Sequence, residues 1–202
     1  MYLANTVYHV YNQTNNYERF FRNEDNYRFF LEKIRTHLLP VADLLCYCLM
    51  PDHFHLMLQP TAAGLADSNA RKIQSARANG VEAAYQQAIS HALKIMLSSY
   101  VRAFNRRFNR RGSLLRSNTH AKPVYVEFMP PELLASRPLA GELAPYLMNC
   151  FHYIHQNPVK AELVDTATDW TWSSAQDYAG LRAGTLCNYE LTHQLLGMQP
   201  PC

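Results

Sequence analysis

A chain of 202 residues, 48% hydrophobic and 17% charged, with seven glycines and eleven prolines, fits one ordinary globular domain and excludes a disordered or collagen-like chain. No window approaches the ~18 consecutive apolar residues of a membrane span, and the stretch MYLANTVYHVYNQT lacks the basic region and apolar run of a secretory signal. The expectation is a cytoplasmic protein whose five cysteines, Cys46, Cys48, Cys150, Cys187 and Cys202, are free thiols rather than a disulfide framework. The net charge of +3 hides a segregation: the 44 residues from Ala83 to Val126 hold no Asp or Glu and carry 8 of the 19 cationic residues. Such a segment favours a polyanion-binding face over a uniformly basic protein.

In chain order, β-branched and aromatic residues in TVYHVYNQT predict a strand around Val7–Tyr11. Asn23 is a helix N-cap, and apolar residues at three- and four-residue spacing (Tyr27, Phe30, Leu31, Ile34, Leu38) predict a helix closed by Pro40. The run VADLLCYCLM predicts a second strand, Pro51-Asp52 a turn, and HFHLMLQP a third strand. Residues 61–82, small and weakly patterned, read as an inserted, partly helical connector within a single domain spanning 1–202. A long helix is expected over Ala83–Asn109, stopped by Gly112, then a fourth strand around Lys122–Phe128. A proline-rich loop leads to a helix over Gly141–Gln156, stopped by Asn157-Pro158, and a short final helix closes the chain. The order β-α-β-β-α-β-α predicts an α+β, ferredoxin-like antiparallel sheet with helices packed on one face.

Two local patterns carry chemistry. In His53-Phe54-His55, strand alternation puts both imidazoles on one face, where their nitrogens can share a divalent metal; two unremarkable strand histidines fit the pattern as well. Tyr153 and Asn157 lie four apart on a helix, offering a hydroxyl nucleophile and a carboxamide ligand, or simply a core aromatic and a cap. In the basic segment Arg102, Arg106 and Arg110 follow one expected helix face, with Arg107 and Arg111 beside them and Phe104 and Phe108 interleaved. Arginines hold phosphates and aromatics stack on unpaired bases; a solvated cationic helix end is the plainer alternative.

Together MPDHFHLML, HYIHQNPVKAELV and DWTWSSAQDY, with YHVYNQTNNYERFFRNEDNYRFFLEKI and FNRRFNRRGSLLR, resemble the single-tyrosine HUH transposases of small insertion sequences, in particular the REP-associated tyrosine transposases. The resemblance covers most of the chain; residues 61–90 and 128–142 match poorly. It implies an HUH endonuclease fold, with Tyr153 as nucleophile and His53, His55 and Asn157 as metal ligands. It also implies a metal-dependent nuclease and strand transferase that cleaves single-stranded DNA through a 5′-phosphotyrosine, at hairpin-forming repeats. Mg²⁺ or Mn²⁺ suits such mixed nitrogen and oxygen ligation. The DNA would be held by Arg102, Arg106, Arg107, Arg110, Arg111, Arg116 and Lys122, on a monomer or homodimer associated with the bacterial nucleoid. Asp52 stands where the family usually has Asn, and adds a carboxylate beside the expected metal. His152 and His155 are the nearest candidates to accept the Tyr153 proton.

Two readings compete: a catalytically retired DNA-binding or regulatory protein, and a zinc-binding domain. The second would use Cys46 and Cys48 on one strand with His53 and His55 on the next, a spacing unlike the common zinc fingers.

Overall fold

A computed structural model describes residues 1–68, 86–134 and 142–198. Strands β1 (Tyr8–Gln13), β2 (Ala42–Met50) and β3 (His53–Pro60) match the alternation and apolar runs of the sequence, and Pro51-Asp52 turns β2 into β3. With β4 (His120–Pro123) they form one sheet in the order β2-β3-β1-β4, every neighbouring pair antiparallel. β1 and β2 are therefore parallel with β3 inserted between them, the split β-α-β arrangement of the ferredoxin-like class. Helix α1 (Glu24–Lys33) makes the crossover. The Asn23 side chain accepts from the Asn26 amide at 3.2 Å, and the helix continues into one π-helical turn, Ile34–Leu38.

Helix α2 (Ala88–Arg107) buries Ile89, Leu93, Met96, Leu97, Tyr100 and Phe104 on the same side of the sheet as α1, against Val10, Phe54, Leu56 and Leu58. The opposite side is also covered, so the expectation of helices on one face needs correction. Helix α4 (Ala144–Lys160) lays Leu147, Cys150, Phe151 and Ile154 against Cys46, Cys48, Met50 and Met57, and α5 (Tyr189–Leu196) extends that layer. The nearly continuous apolar run of β2 is the physical reason: both of its faces must be buried. Alternation along β2 supplies both cores, and a register shift between Leu44 and Cys46 turns the consecutive Leu45 and Cys46 to the same one.

Three boundaries differ from the sequence reading. The long helix starts at Ala88 and ends at Arg107, because Asn109 turns the chain with φ 47° ahead of Gly112 at φ 85°. The fourth strand stops at Pro123, and Val124–Phe128 is a helical turn, α3, rather than strand. The proline gives the ladder no donor, and Val124 N–H instead reaches the Val7 carbonyl at 2.9 Å. Asn157-Pro158 does not end α4, which runs to Lys160. Pro158 forfeits one backbone bond, while the Asn157 side-chain amide donates to the Tyr153 carbonyl at 2.8 Å, within the same turn.

Of the expected connector, residues 69–82 lie outside the described residues; its near end is a single turn, Ala62–Leu65, capped by Thr61. The base of the excursion is pinned by the Ser68 amide on the Gln86 carbonyl at 2.8 Å. At the sheet's other edge the chain 172–174 covers β2, through Leu49 N–H on Trp172 O and Ser174 N–H on Tyr47 O. No helix among the described residues is long and apolar enough to cross a membrane.

Candidate active site

Strand alternation sends Phe54 into the α1/α2 core and turns His53 and His55 to the α4 side. Their rings stand perpendicular, centroids 5.0 Å apart. Each ring is held through Nδ1. Asp52, in the tight turn before β3, places Oδ1 2.6 Å from His53 Nδ1. His9, two residues before Tyr11 on the neighbouring β1, places Nε2 2.8 Å from His55 Nδ1. His9 Nδ1 in turn meets Glu127 Oε2 at 2.7 Å. Glu127 reaches the site because α3 follows β4 at once, and its other oxygen is 3.5 Å from the Lys122 ammonium.

Tyr153 projects from the middle of α4 onto this group. Its ring stands edge-on to His55 at 5.7 Å and to His9 at 5.8 Å, packs on Phe128 at 5.6 Å, and carries the Lys160 ammonium 5.0 Å from its centroid. Partial burial and then the Glu127 charge push its hydroxyl above the ordinary phenol range. Burial, with His9 and His53 alongside, holds His55 well below the ordinary imidazole range, so it is neutral at pH 7. Burial raises the Glu127 carboxyl, but the His9 hydrogen bond and the Lys122 charge outweigh it and leave the group below its usual range.

The donor set fits a divalent cation. A carboxylate only accepts, so Asp52 fixes the His53 proton on Nδ1 and leaves Nε2 as a lone pair. His55 also has its Nδ1 engaged, which leaves Nε2 as its second nitrogen. Asn157, half-exposed one turn beyond Tyr153, spends its amide nitrogen on the Tyr153 carbonyl and retains its carbonyl oxygen. Two imidazole nitrogens and one amide oxygen match the ligand preferences of Mg²⁺, Mn²⁺ or related divalent ions.

No protein-family model and no curated protein sequence matches the chain. Among solved structures, a REP-associated tyrosine transposase bound to a REP hairpin matches over 93% of this chain and 91% of that one, with a TM-score of 0.53 and 13% identity. The chain is similar in fold to this transposase. The likeness is one of architecture, and it agrees with the resemblance carried by the histidine and tyrosine motifs.

Several expected site residues are placed elsewhere. His155 is buried, with Nε2 2.8 Å from Ser174 Oγ, and His152 is exposed. His155 thus ties α4 to the chain covering β2 and does not face the Tyr153 hydroxyl. The zinc reading fails on geometry: among the described residues no three His, Cys, Asp or Glu side chains converge as a metal site. Cys46 Sγ instead lies 3.9 Å from Met57 Sδ, and Cys48 Sγ 3.7 Å from Met50 Sδ, inside the apolar layer.

The cationic segment does not form one face. Arg102, Arg106 and Arg107 are exposed on α2, on the sheet face away from Tyr153, and Arg107 lies 3.6 Å from Asp25. Arg110 is off the helix and committed to Glu18. Phe104 is core, and the Arg22 guanidinium covers the Phe104 and Phe108 rings at 5.2 and 4.6 Å, so these aromatics are not open stacking platforms. Exposed Lys122 lies beside the histidine cluster, whereas exposed Arg116 joins the end of β1 through its backbone and borders a cavity on the α2 side of the sheet with Asn12, Leu97 and Val101. The Arg116 amide bonds the Gln13 carbonyl at 2.9 Å, Gln13 pairs with His53, and Lys122 Nζ sits 5.9 Å over the Tyr11 ring. Arg111 is exposed in the loop between.

Sequence reasoning missed His9, Tyr11, Glu127 and Lys160. His9 and Tyr11 carried a usable signal, since period two on β1 puts them on one face, opposite Met57 and His55. Glu127 carried none, because its place depends on α3 replacing the end of the expected strand.

Proposed function

We propose that the chain is a metal-dependent nuclease and strand transferase for single-stranded DNA, working through a 5′-phosphotyrosine at hairpin-forming repeats. The observation that carries this reading is Tyr153 edge-on to His55 and His9, beside two histidines each held through Nδ1. The likeness in fold to a REP-associated tyrosine transposase supports it. His53, His55 and Asn157 would hold the cation, with Mg²⁺ or Mn²⁺ the fitting ions. A divalent cation there supplies Lewis-acid neutralisation of the scissile phosphate.

Tyr153 Oη attacks phosphorus in line: the Oη–P bond forms, the P–O3′ bond breaks, the phenol proton passes to solvent, and the leaving oxygen takes a proton from solvent to end as a 3′ hydroxyl. The phosphotyrosine keeps the energy of the broken ester, so a 3′ hydroxyl can reverse the step and join strands. Lys160, over the Tyr153 ring, holds positive charge where phenolate and phosphate meet. Arg116, Lys122 and Arg111 give the incoming strand a cationic border, and Tyr11, stacked on His120 at 4.9 Å, gives it an aromatic surface at that border.

The test is incubation of end-labelled hairpin and single-stranded oligonucleotides with the protein and Mn²⁺. An adduct stable in SDS should form and map to Tyr153; Tyr153→Phe should bind the same DNA without it. An adduct persisting in that variant and mapping to Tyr146, seven residues back on the same helix, overturns the assignment. Equal cleavage of blunt duplex overturns the substrate class. Binding with no adduct for any substrate leaves a DNA-binding protein without catalysis.

A further inference from the structure

We propose that Glu127 and His9 are positioning residues whose hydrogen-bond relay fixes the tautomer of His55, so that its Nε2 is left as a bare lone pair for the cation. The inference rests on the reading of His55 as a ligand, and it concerns groups that no sequence motif marks.

The argument is one of donors and acceptors. Glu127 Oε2 can only accept, so at 2.7 Å the proton between it and His9 belongs to His9 Nδ1. A neutral imidazole with its proton on Nδ1 has a lone pair on Nε2. With His9 neutral, its Nε2 accepts from His55 Nδ1 at 2.8 Å, and the His55 proton is fixed there. What remains on His55 is the unprotonated Nε2. The relay works against the preference of free histidine for the Nε2–H form, and so has something to accomplish.

The surroundings suit a fixed relay. His9 is 2% and His55 5% exposed, which restricts the access of bulk solvent to these bonds. The two rings stack at 21° with centroids 5.0 Å apart, and Tyr11, at 4.7 Å from His9, limits their rotation. Lys122 holds the second Glu127 oxygen and keeps the carboxylate turned to His9. His53 obtains the same tautomer from Asp52 directly, so the two ligands are prepared by carboxylates at different distances. Outer-shell carboxylate partners of this kind typically change metal affinity ten- to a hundredfold.

The test uses the full chain, ¹⁵N-labelled and metal-free, and reads the imidazole tautomers by long-range ¹H–¹⁵N correlation. His9 and His55 should both show protonated Nδ1 and bare Nε2. Glu127→Leu should shift His55 toward Nε2–H and weaken Mn²⁺ binding, followed by the EPR signal of free Mn²⁺, by ten- to a hundredfold. Glu127→Gln, whose amide oxygen can still accept, should recover part of both. His55 protonated on Nε2 in the wild type overturns the relay, as does a folded Glu127→Leu with unchanged tautomer and unchanged Mn²⁺ affinity. If Glu127→Leu does not fold, the wild-type tautomer and Glu127→Gln decide. Correct tautomers in a protein that cleaves no oligonucleotide would reject the nuclease reading and leave the relay standing.

Discussion

Arg110 and Glu18 clasp each other across 92 residues of sequence, through two hydrogen bonds of 2.5 and 2.8 Å. The three remaining Arg110 donors go to the Gly112 and Ser113 carbonyls at 3.0 and 2.9 Å and to Asn105 Oδ1 at 3.3 Å, so the guanidinium organises the loop after α2. A cation committed in this way has no donor free for a phosphate. Charge alone could not separate it from Arg116, six residues on.

Arg110→Ala should therefore lower the melting temperature while leaving the salt dependence of single-strand binding unchanged, measured by fluorescence anisotropy at several salt concentrations. Arg116→Ala should do the reverse: an unchanged melting temperature, weaker binding, and a slope of log affinity against log salt flatter by about 0.7. A flattened slope in Arg110→Ala with no thermal shift would return Arg110 to the DNA face.

The four described thiols are buried in apolar surroundings, and burial raises each of them, Cys46, Cys48, Cys150 and Cys187, above the ordinary thiol range. Neutral, enclosed thiols are poor nucleophiles and poor zinc ligands. Iodoacetamide at pH 7.5 should label none of these four until denaturant is added, as read by peptide mapping. Rapid labelling of Cys46 or Cys48 in the folded protein would reopen the zinc reading.

Much of the sheet was legible because it rests on local rules. Alternation along HFHLMLQP, the apolar run of β2 and the Asn23 cap all write their structure in adjacent residues. The pairing of His53 with His55 was legible for the same reason. What was not legible depends on residues far apart in sequence. Glu127 meets His9 across 118 residues, and no periodicity reports such a contact. The arginine face was misread because four-residue spacing assumes an unbroken helix, and Asn109 breaks it at φ 47°. His155 shares the motif of Tyr153 yet serves Ser174 on the far side of the same helix, which needs the partner chain 172–174 to be seen.

Asp52 has Oδ1 2.6 Å from His53 Nδ1 and Oδ2 3.4 Å from Gln13 Nε2, contacts that suit a carboxylate orienting His53 in the proposed site. Asp52→Asn retains an acceptor at the same place, and Mn²⁺ affinity, followed by EPR, should change only a few-fold. Asp52→Leu removes the acceptor, frees the His53 tautomer and should weaken binding ten- to a hundredfold. A loss in Asp52→Asn as large as in Asp52→Leu would instead show that the negative charge itself meets the metal.

The last prediction concerns acid stability, and it separates His155 from the chemistry. Burial, with His152 adding to it, pushes the His155 imidazole down to about 3 in the folded protein. An unfolded chain titrates near the ordinary ~6.5. The folded state thus favours the neutral ring, and the stabilisation is complete above pH ~6.5. Below that the unfolded state binds the proton first, so stability falls as pH falls, by about 1.4 kcal/mol per pH unit for this one group. His55 and His37 are held below their usual range as well, so the wild type should lose more than one group's share. Carboxylates such as Glu18 and Glu127, also depressed, add their losses only at lower pH, below their unfolded values. Between pH 6 and 5 the slope therefore reports histidines. His155→Gln, which can still bond Ser174, should flatten the stability–pH slope in that window by about 1.4 kcal/mol per unit, measured by urea denaturation. Its adduct formation with hairpin DNA should keep the wild-type pH profile, since the ring is bonded to Ser174 and not to Tyr153. An unchanged stability slope would place the His155 ring in solvent. A displaced activity profile would make it the acceptor of the Tyr153 proton after all.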